Sequence, residues 1–406
     1  MEQGSYKVYG YRWVMLLAFM LIVAVNQLLW ITFASITSPA MAFYGVSDLE
    51  IGLLSLIFMA VYIFVSIPAS WVIDTYGIRL AVGIGAVLTG VFGLLRGLMA
   101  ADYIMVLVSQ IGIAIGQPFI LNAVTKVAAR WFAFEDRATA SGFGTLAMYL
   151  GIVVALMLTP RLVAQSSIES MLMSYGITAV IAALAFLVLA RERPATPPGP
   201  PEQEERSLVF DGLKQTVRKR DFILLMIVFF VGLGAFNAVT TWIEEIVKPR
   251  GFTPEQAGMT GGLMVLAGVV GAVVMPLLSD HYRKRVPFLV MALIGTIVGL
   301  VGLTFAVTYP LLLVSAFVLG FSLLSAGPIG FQYGAEVAYP APEGTSNGLL
   351  LLMGQISGIV FILAMVMLQS PETGSMRPSL VGMAILLFLC LILTTQLKES
   401  KLLTSA

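Results

Sequence analysis

The sequence predicts an all-α polytopic membrane protein with twelve transmembrane helices in two pseudo-symmetric six-helix halves. Three observations carry that reading. Of the 406 residues, 59% are hydrophobic and 11% charged, against roughly 45–50% apolar and about 25% charged in a soluble domain; the mean hydropathy is +0.95. The apolar residues form long unbroken runs, not the alternation that a spanning β-barrel requires. Finally, motifs in the first half return in the second at a constant spacing.

A helix needs about 20 apolar residues to cross the hydrocarbon. By that criterion the spans are 13–42, 50–73, 78–100, 103–130, 138–160, 169–190, 222–247, 255–279, 286–307, 309–338, 345–369 and 378–397. The first is expected to be retained and not cleaved as a signal peptide, since it is long and carries Asn26 mid-span. An N-terminus on the cytoplasmic side leaves 18 of the 23 Lys and Arg residues there, four outside, and Arg96 within a span. That bias predicts both termini in the cytoplasm of a multi-pass protein of a cell (inner or plasma) membrane. The one long connection, 191–221, is Pro-rich at first and ends with Arg218-Lys219-Arg220. It reads as a stiff linker whose basic end lies at lipid headgroups, giving domains 1–190 and 222–406 on either side.

Several functions are excluded. A formal net charge of +1 gives no overall field for nucleic acid. A single Cys (Cys390) and a single His (His281) exclude disulfide frameworks, thiolate metal clusters and most His-based catalysis. The spans hold no paired-acid, Ser–His or metal-ligand constellation, so neither an enzyme nor a cofactor or metal is expected. The partners are a small-molecule substrate and the bilayer, and nothing in the sequence demands more than a monomer.

The repeat is carried by loops. Asp74-Thr75-Tyr76-Gly77-Ile78-Arg79 and Asp280-His281-Tyr282-Arg283-Lys284-Arg285 lie 206 positions apart, as do the segments 130–142 and 336–348. A duplicated unit of six spans resembles a major facilitator, which implies a substrate cavity between the halves at mid-membrane. The two Asp-to-Arg segments also resemble that family's loop signature between second and third helices. The resemblance implies that Asp74, Arg79, Asp280 and Arg285, with Arg283 beside them, latch the cytoplasmic side in one of two global states. Lys126, Arg130, Glu135 and Arg137 in one half, against Glu336 and Glu343 in the other, suggest charge complementarity across the same gate. Glycines in the eighth span, together with Gly142, Gly144, Gly348, Gly354 and Gly358, read as close helix packing.

Polar groups within spans are costly and therefore informative. The first span offers Asn26 and Trp30, four apart on one helix face that Phe33 and Thr37 continue. The fourth offers Gln110, Gln117 and Asn122; the seventh Phe236, Asn237, Thr240 and Thr241; the tenth Gln332 and Tyr333; the eleventh Gln355. Glu244 and Glu245 read as an entrance vestibule or solvated helix end. The inventory is amides and aromatic rings with no Lys or Arg at mid-span, which suits an alkylated ammonium through cation–π attraction, or a neutral polar molecule.

A narrower resemblance rests on Tyr11-Arg12-Trp13-Val14-Met15-Leu16-Leu17, Val25-Asn26 with Trp30, Phe43-Tyr44-Gly45-Val46, Pro68-Ala69-Ser70-Trp71, Gly116-Gln117-Pro118-Phe119, and Glu336-Val337-Ala338-Tyr339-Pro340 through Glu343-Gly344-Thr345-Ser346. These resemble the feline leukaemia virus subgroup C receptor-related transporters, and the short loops without an Asn-X-Ser/Thr site are compatible with a prokaryotic member. The resemblance implies transport of choline or ethanolamine, with Trp30, Gln355 and Gln117 at the site. Asn237 stands where the choline carriers have an aromatic residue, which removes part of a cation cage. Haem export, also attributed to that family, would require axial ligands and basic propionate partners that the spans lack. The expected function is alternating-access movement of a small organic cation such as choline or ethanolamine, with facilitative uniport favoured. A haem or other metabolite exporter, or a non-transporting receptor or sensor on the same scaffold, is the alternative.

Overall fold

The computed structural model describes residues 7–133, 136–198, 216–339 and 343–399, without the side chains of residues 138 and 343–345. The chain divides into two compact units, Met1–Glu204 and Glu205–Ala406. Among the described residues, twelve helices are long and apolar enough to cross a membrane. In the first unit they are α1 (Tyr11–Ile31), α2 (Asp48–Tyr76), α3 (Ile78–Leu98), α4 (Tyr103–Leu121), α5 (Arg137–Gln165) and α6 (Ile168–Leu189). In the second they are α7 (Arg220–Thr241), α8 (Pro254–His281), α9 (Val286–Phe305), α10 (Tyr309–Ala338), α11 (Glu343–Met367) and α12 (Arg377–Thr394).

Within each unit corresponding pairs pack extensively: α1 on α5, α2 on α4, and α3 on both α4 and α6, then α7 on α11, α8 on α10, and α9 on both α10 and α12. Backbone approach is closest between α8 and α10. A Cβ added at Gly271 would lie 2.0 Å from the Phe321 carbonyl oxygen, and one at Gly320 would lie 1.8 Å from that of Met264. The glycines expected to pack closely divide, however: added Cβ atoms at Gly142 and Gly348 would meet nothing within 4 Å.

Local chemistry repeats with the packing. Ser47 and Thr253, 206 apart, each begin a helix with a capping box. The Ser47 N–H donates to Glu50 Oε2 (2.8 Å), and the Thr253 N–H to Gln256 Oε1 (3.0 Å). The start of the third helix in each unit is held by a carboxylate from beyond the sixth. Glu192 accepts from the Ile78 and Arg79 N–H groups at 3.2 and 2.8 Å, and Glu399 from those of Arg285 and Val286, each at 3.0 Å. A carboxylate there satisfies orphan donors and opposes the helix dipole. Just before these helix starts, Gly77 has φ +91° and Arg283, 206 residues on, has φ +51°. Arg283 is the one non-glycine residue with positive φ among those described.

Three expected spans are interrupted. The run 13–42 is α1, an irregular turn, and the short helix Thr37–Tyr44. The run 222–247 is α7, Trp242, and the short helix Ile243–Val247, and α4 continues after Asn122 and Ala123 as Val124–Trp131. Neither Gly nor Pro occurs from Thr32 to Ile36 or at Trp242, so tertiary contacts make those two breaks. The indole N–H of fully buried Trp242 donates to the Ile362 carbonyl on α11 (3.1 Å). The break after α1 is held by Arg96.

Candidate functional site

Arg96, the one basic residue expected within a span, lies at a helix end and not at mid-span. It sits in the last turn of α3 at 0% exposure. Its Nη1 donates to the Leu29 carbonyl (3.0 Å) and Gln110 Oε1 (2.8 Å), and its Nη2 to Thr32 Oγ1 (3.4 Å). The guanidinium also lies 5.8 Å from the centre of the Phe33 ring. Phe33 and Thr37 therefore do not continue the Asn26–Trp30 face; they follow the turn that Arg96 fastens.

The candidate substrate ligands separate by whether their polar groups are already used. Asn26 is buried, donating to Thr89 Oγ1 (3.1 Å) and accepting from Gln27 (3.4 Å). Asn122 accepts from the Tyr62 hydroxyl (2.6 Å) and donates to Ser66 Oγ and Ser70 Oγ, each at 3.0 Å. These two amides join helices within the first unit, which corrects their expected place among the ligands. The Trp30 indole N–H donates to the Ser55 carbonyl (3.1 Å). Gln117 differs: it is 6% exposed, and its amide has no hydrogen-bond partner among the described residues.

In the second unit, the Asn237 amide nitrogen donates to the Gly354 carbonyl on α11 (3.3 Å), which leaves its oxygen as an acceptor. Phe236 is buried one residue earlier. Gln355 is half-buried, with no partner among the described residues. Two expectations fail here. Tyr333 is fully buried among Phe222, Leu225, Phe288 and Leu289, and its hydroxyl donates to the Lys398 carbonyl (2.7 Å). It anchors the segment after α12. Gln332 is exposed and donates to Glu336 Oε1 (3.2 Å), so it belongs with the latch residues. Glu244 and Glu245 are 1% and 5% exposed, which excludes a solvated helix end. Thr240 is also fully buried, and its hydroxyl has no partner.

The two latch segments differ. In the second unit Arg285 pairs with Asp280 and, at 3.2 Å, with Glu336. In the first, Asp74 pairs with Lys126 at 2.5 Å, while the exposed Arg79 side chain makes no ion pair among the described residues. Lys126 and Glu336 thus find partners inside their own units. Arg137 Nε donates to the Phe132 carbonyl (3.3 Å). Arg130 and the exposed Arg283 make no ion pair among the described residues. Glu135 and the Glu343 side chain lie outside the described residues. Lys219, at the start of α7, caps the end of α10 by donating to the carbonyls of Val337, Ala338 and Tyr339 at 3.0, 3.1 and 2.6 Å.

At the opposite helix ends, the loops after the breaks are clasped. The Tyr44 hydroxyl donates to the Ala100 carbonyl (2.8 Å). Arg250, 206 residues on, donates from Nη1 to the carbonyls of Leu303 (2.7 Å) and Ala306 (2.9 Å) and from Nη2 to that of Ile246 (3.1 Å). Burial pushes the Tyr44 hydroxyl up, against the pull of Arg96. Burial, and then the charge of Arg377, pushes Arg250 down to about 10, so it still carries its charge near neutral pH.

Two six-helix units with the same helix pairing, the same caps and repeated loop motifs define a membrane transporter of the major facilitator kind. A sequence model of the Major Facilitator Superfamily matches residues 15–362, and the chain belongs to that family, whose members are transporters and not enzymes. More particularly, it is related to solute carrier family 49 member A3 of Xenopus tropicalis, being 30% identical over 402 residues that cover 94% of this chain and 83% of the relative. The choline/ethanolamine transporter FLVCR1 of Felis catus is 30% identical over 415 residues, with 96% and 73% covered. Among solved structures, a bacterial homologue of the human lysosomal transporter Spinster, inward-facing and unoccupied, matches with a TM-score of 0.77 at 16% identity, covering 96% of this chain and 97% of that one. A D-xylose–proton symporter matches at 0.72 and 14%, covering 96% and 98%. At such identities the structures speak for the fold alone.

Proposed function

We propose that this transporter moves a small organic cation by alternating access, as a facilitative uniporter with both termini in the cytoplasm. The observation that carries the reading is the contrast among amides. Asn26, Gln110 and Asn122 are bonded within the first unit, whereas Gln117 and Gln355 have no partner among the described residues. A polar side chain kept in an apolar span without a partner is a functional group in waiting. Trp30 in the first unit and Phe236 in the second supply rings for the cationic centre. The names of the FLVCR1 and FLVCR2 relatives, choline/ethanolamine transporters, point to the same chemistry.

Between the two named cargoes, the donor set favours a primary ammonium. The amide oxygens of Gln117, Asn237 and Gln355 accept hydrogen bonds, which ethanolamine's ammonium donates and choline's quaternary nitrogen does not. Asn237, with an amide in place of a ring, shifts the balance further in that direction. The test is uptake into proteoliposomes of radiolabelled ethanolamine and choline. Saturable ethanolamine uptake that exceeds choline uptake is expected, with at least a tenfold loss in Gln117→Leu and Gln355→Leu. Trp30→Phe keeps a ring and is expected to retain part of the activity; Trp30→Ala is avoided because it would open a cavity in a buried site. Uptake that is unchanged in both glutamine variants would remove the basis for this site.

A further inference from the structure

The first helix of each unit is interrupted at corresponding positions, and different side chains stand at the two interruptions. After α1, the buried Arg96 guanidinium reaches in from α3 to the Leu29 carbonyl and Thr32 Oγ1. Leu29 is among the last four carbonyls of α1, which have no acceptor role within the helix. A fixed cation therefore supplies what the broken ladder lacks. The position 206 residues beyond Arg96 is Gly302, so α9 sends no such group to the break after α7. That break carries Glu244 and Glu245 instead, both buried.

One turn before these acids, the hydroxyls of Thr240 and Thr241 are buried at 0% and 2% exposure without a hydrogen-bond partner. Threonines elsewhere in these helices behave differently. Thr32, Thr260, Thr296, Thr304 and Thr394 each donate to the carbonyl four residues back, at 2.7 to 2.8 Å. Leaving a buried hydroxyl unpaired is costly, so two in succession, beside two buried carboxylates, mark oxygens turned to a ligand. Of the nearby cations, Lys248 meets one oxygen of Glu245 at 3.4 Å, and Arg250 is bonded to backbone carbonyls.

We propose that the break after α7 binds a small monovalent inorganic cation, of which Na⁺ is the type. Its ligands are the hydroxyl oxygens of Thr240 and Thr241 and a carboxylate oxygen from Glu244 or Glu245. Hard cations select such oxygen sets, and an interrupted membrane helix brings side-chain and backbone oxygens together at its ends. The ion takes in this unit the part that the Arg96 guanidinium plays in the other. The site stands apart from the cargo reading, because Gln117 and Gln355 contribute nothing to it.

The test uses the purified full-length protein without cargo. Its thermal unfolding is followed in NaCl and in N-methyl-D-glucamine chloride at equal ionic strength. Sodium is expected to raise the midpoint saturably, as a ligand of the folded form does, while the bulky organic cation does not. Glu244→Gln and the pair Thr240→Val with Thr241→Val are expected to abolish the difference, and the paired Thr→Ser variant to keep it. Should the variants fail to fold, binding of ²²Na⁺ to the unaltered protein decides. One saturable site displaced by unlabelled Na⁺ supports the proposal, and no saturable binding overturns it. Equal midpoints in both salts, or a sodium response that survives in both variants, overturns it as well.

Discussion

At each unit's interrupted helix the same backbone problem has a different side-chain answer. In the first unit a buried arginine from the third helix binds the broken end, and a tyrosine clasps the following loop to the Ala100 carbonyl. In the second, the third helix contributes no such group; two carboxylates sit at the break, and an arginine clasps the loop to the Ala306 carbonyl. The acceptors at 100 and 306 are 206 residues apart, as are the donors at 44 and 250. What repeats is the unsatisfied carbonyl that needs a donor, because the helix ends repeat. The donor that answers it is free to differ: at the clasps it is a hydroxyl in one unit and a guanidinium in the other, and the buried Arg96 has no counterpart on the third helix of the second unit.

Substitutions can break that comparison, and the largest effect is expected at Arg96. Arg96→Met keeps the length of the side chain but leaves Gln110 Oε1 without its donor and the Leu29 carbonyl with only the Thr32 hydroxyl at 3.2 Å. The loss should be about 3 kcal/mol, after the relief of guanidinium desolvation is counted against it. Thermal unfolding in detergent reads it as a lower midpoint, and a loss below about 1 kcal/mol would mean that the break holds without its cation.

The clasps come next. Arg250→Met removes three charge-assisted bonds to carbonyls and should cost about 2 kcal/mol, whereas Tyr44→Phe removes one neutral bond and should cost about 1 kcal/mol. Equal losses in the same unfolding assay would show that the charge adds nothing.

The smallest effect has the opposite sign. Arg283 adopts the positive φ that glycine takes at the matching position 77, and its exposed side chain makes no ion pair among the described residues. Arg283→Gly should raise stability by about 1 kcal/mol, since the strain of a left-handed residue exceeds the added freedom of the unfolded chain. A lower midpoint would show that the Arg283 side chain is engaged in a stabilising contact.

The sequence alone determined the twelve helices, their near-boundaries and the 206-residue repeat. Membrane burial demands long apolar runs, and duplicated loops keep their turn and charge chemistry in plain view. It also determined which side chains were worth suspecting, since an amide or acid inside an apolar run stands out. Which of these are already spent was decided only by the tertiary structure. Asn26 meets Thr89 across 63 residues and Tyr333 reaches Lys398 across 65, and local sequence holds no record of either partner. The breaks at Thr32–Ile36 and Trp242 were hidden for the same reason: no glycine or proline announces them, and groups from distant helices hold them open.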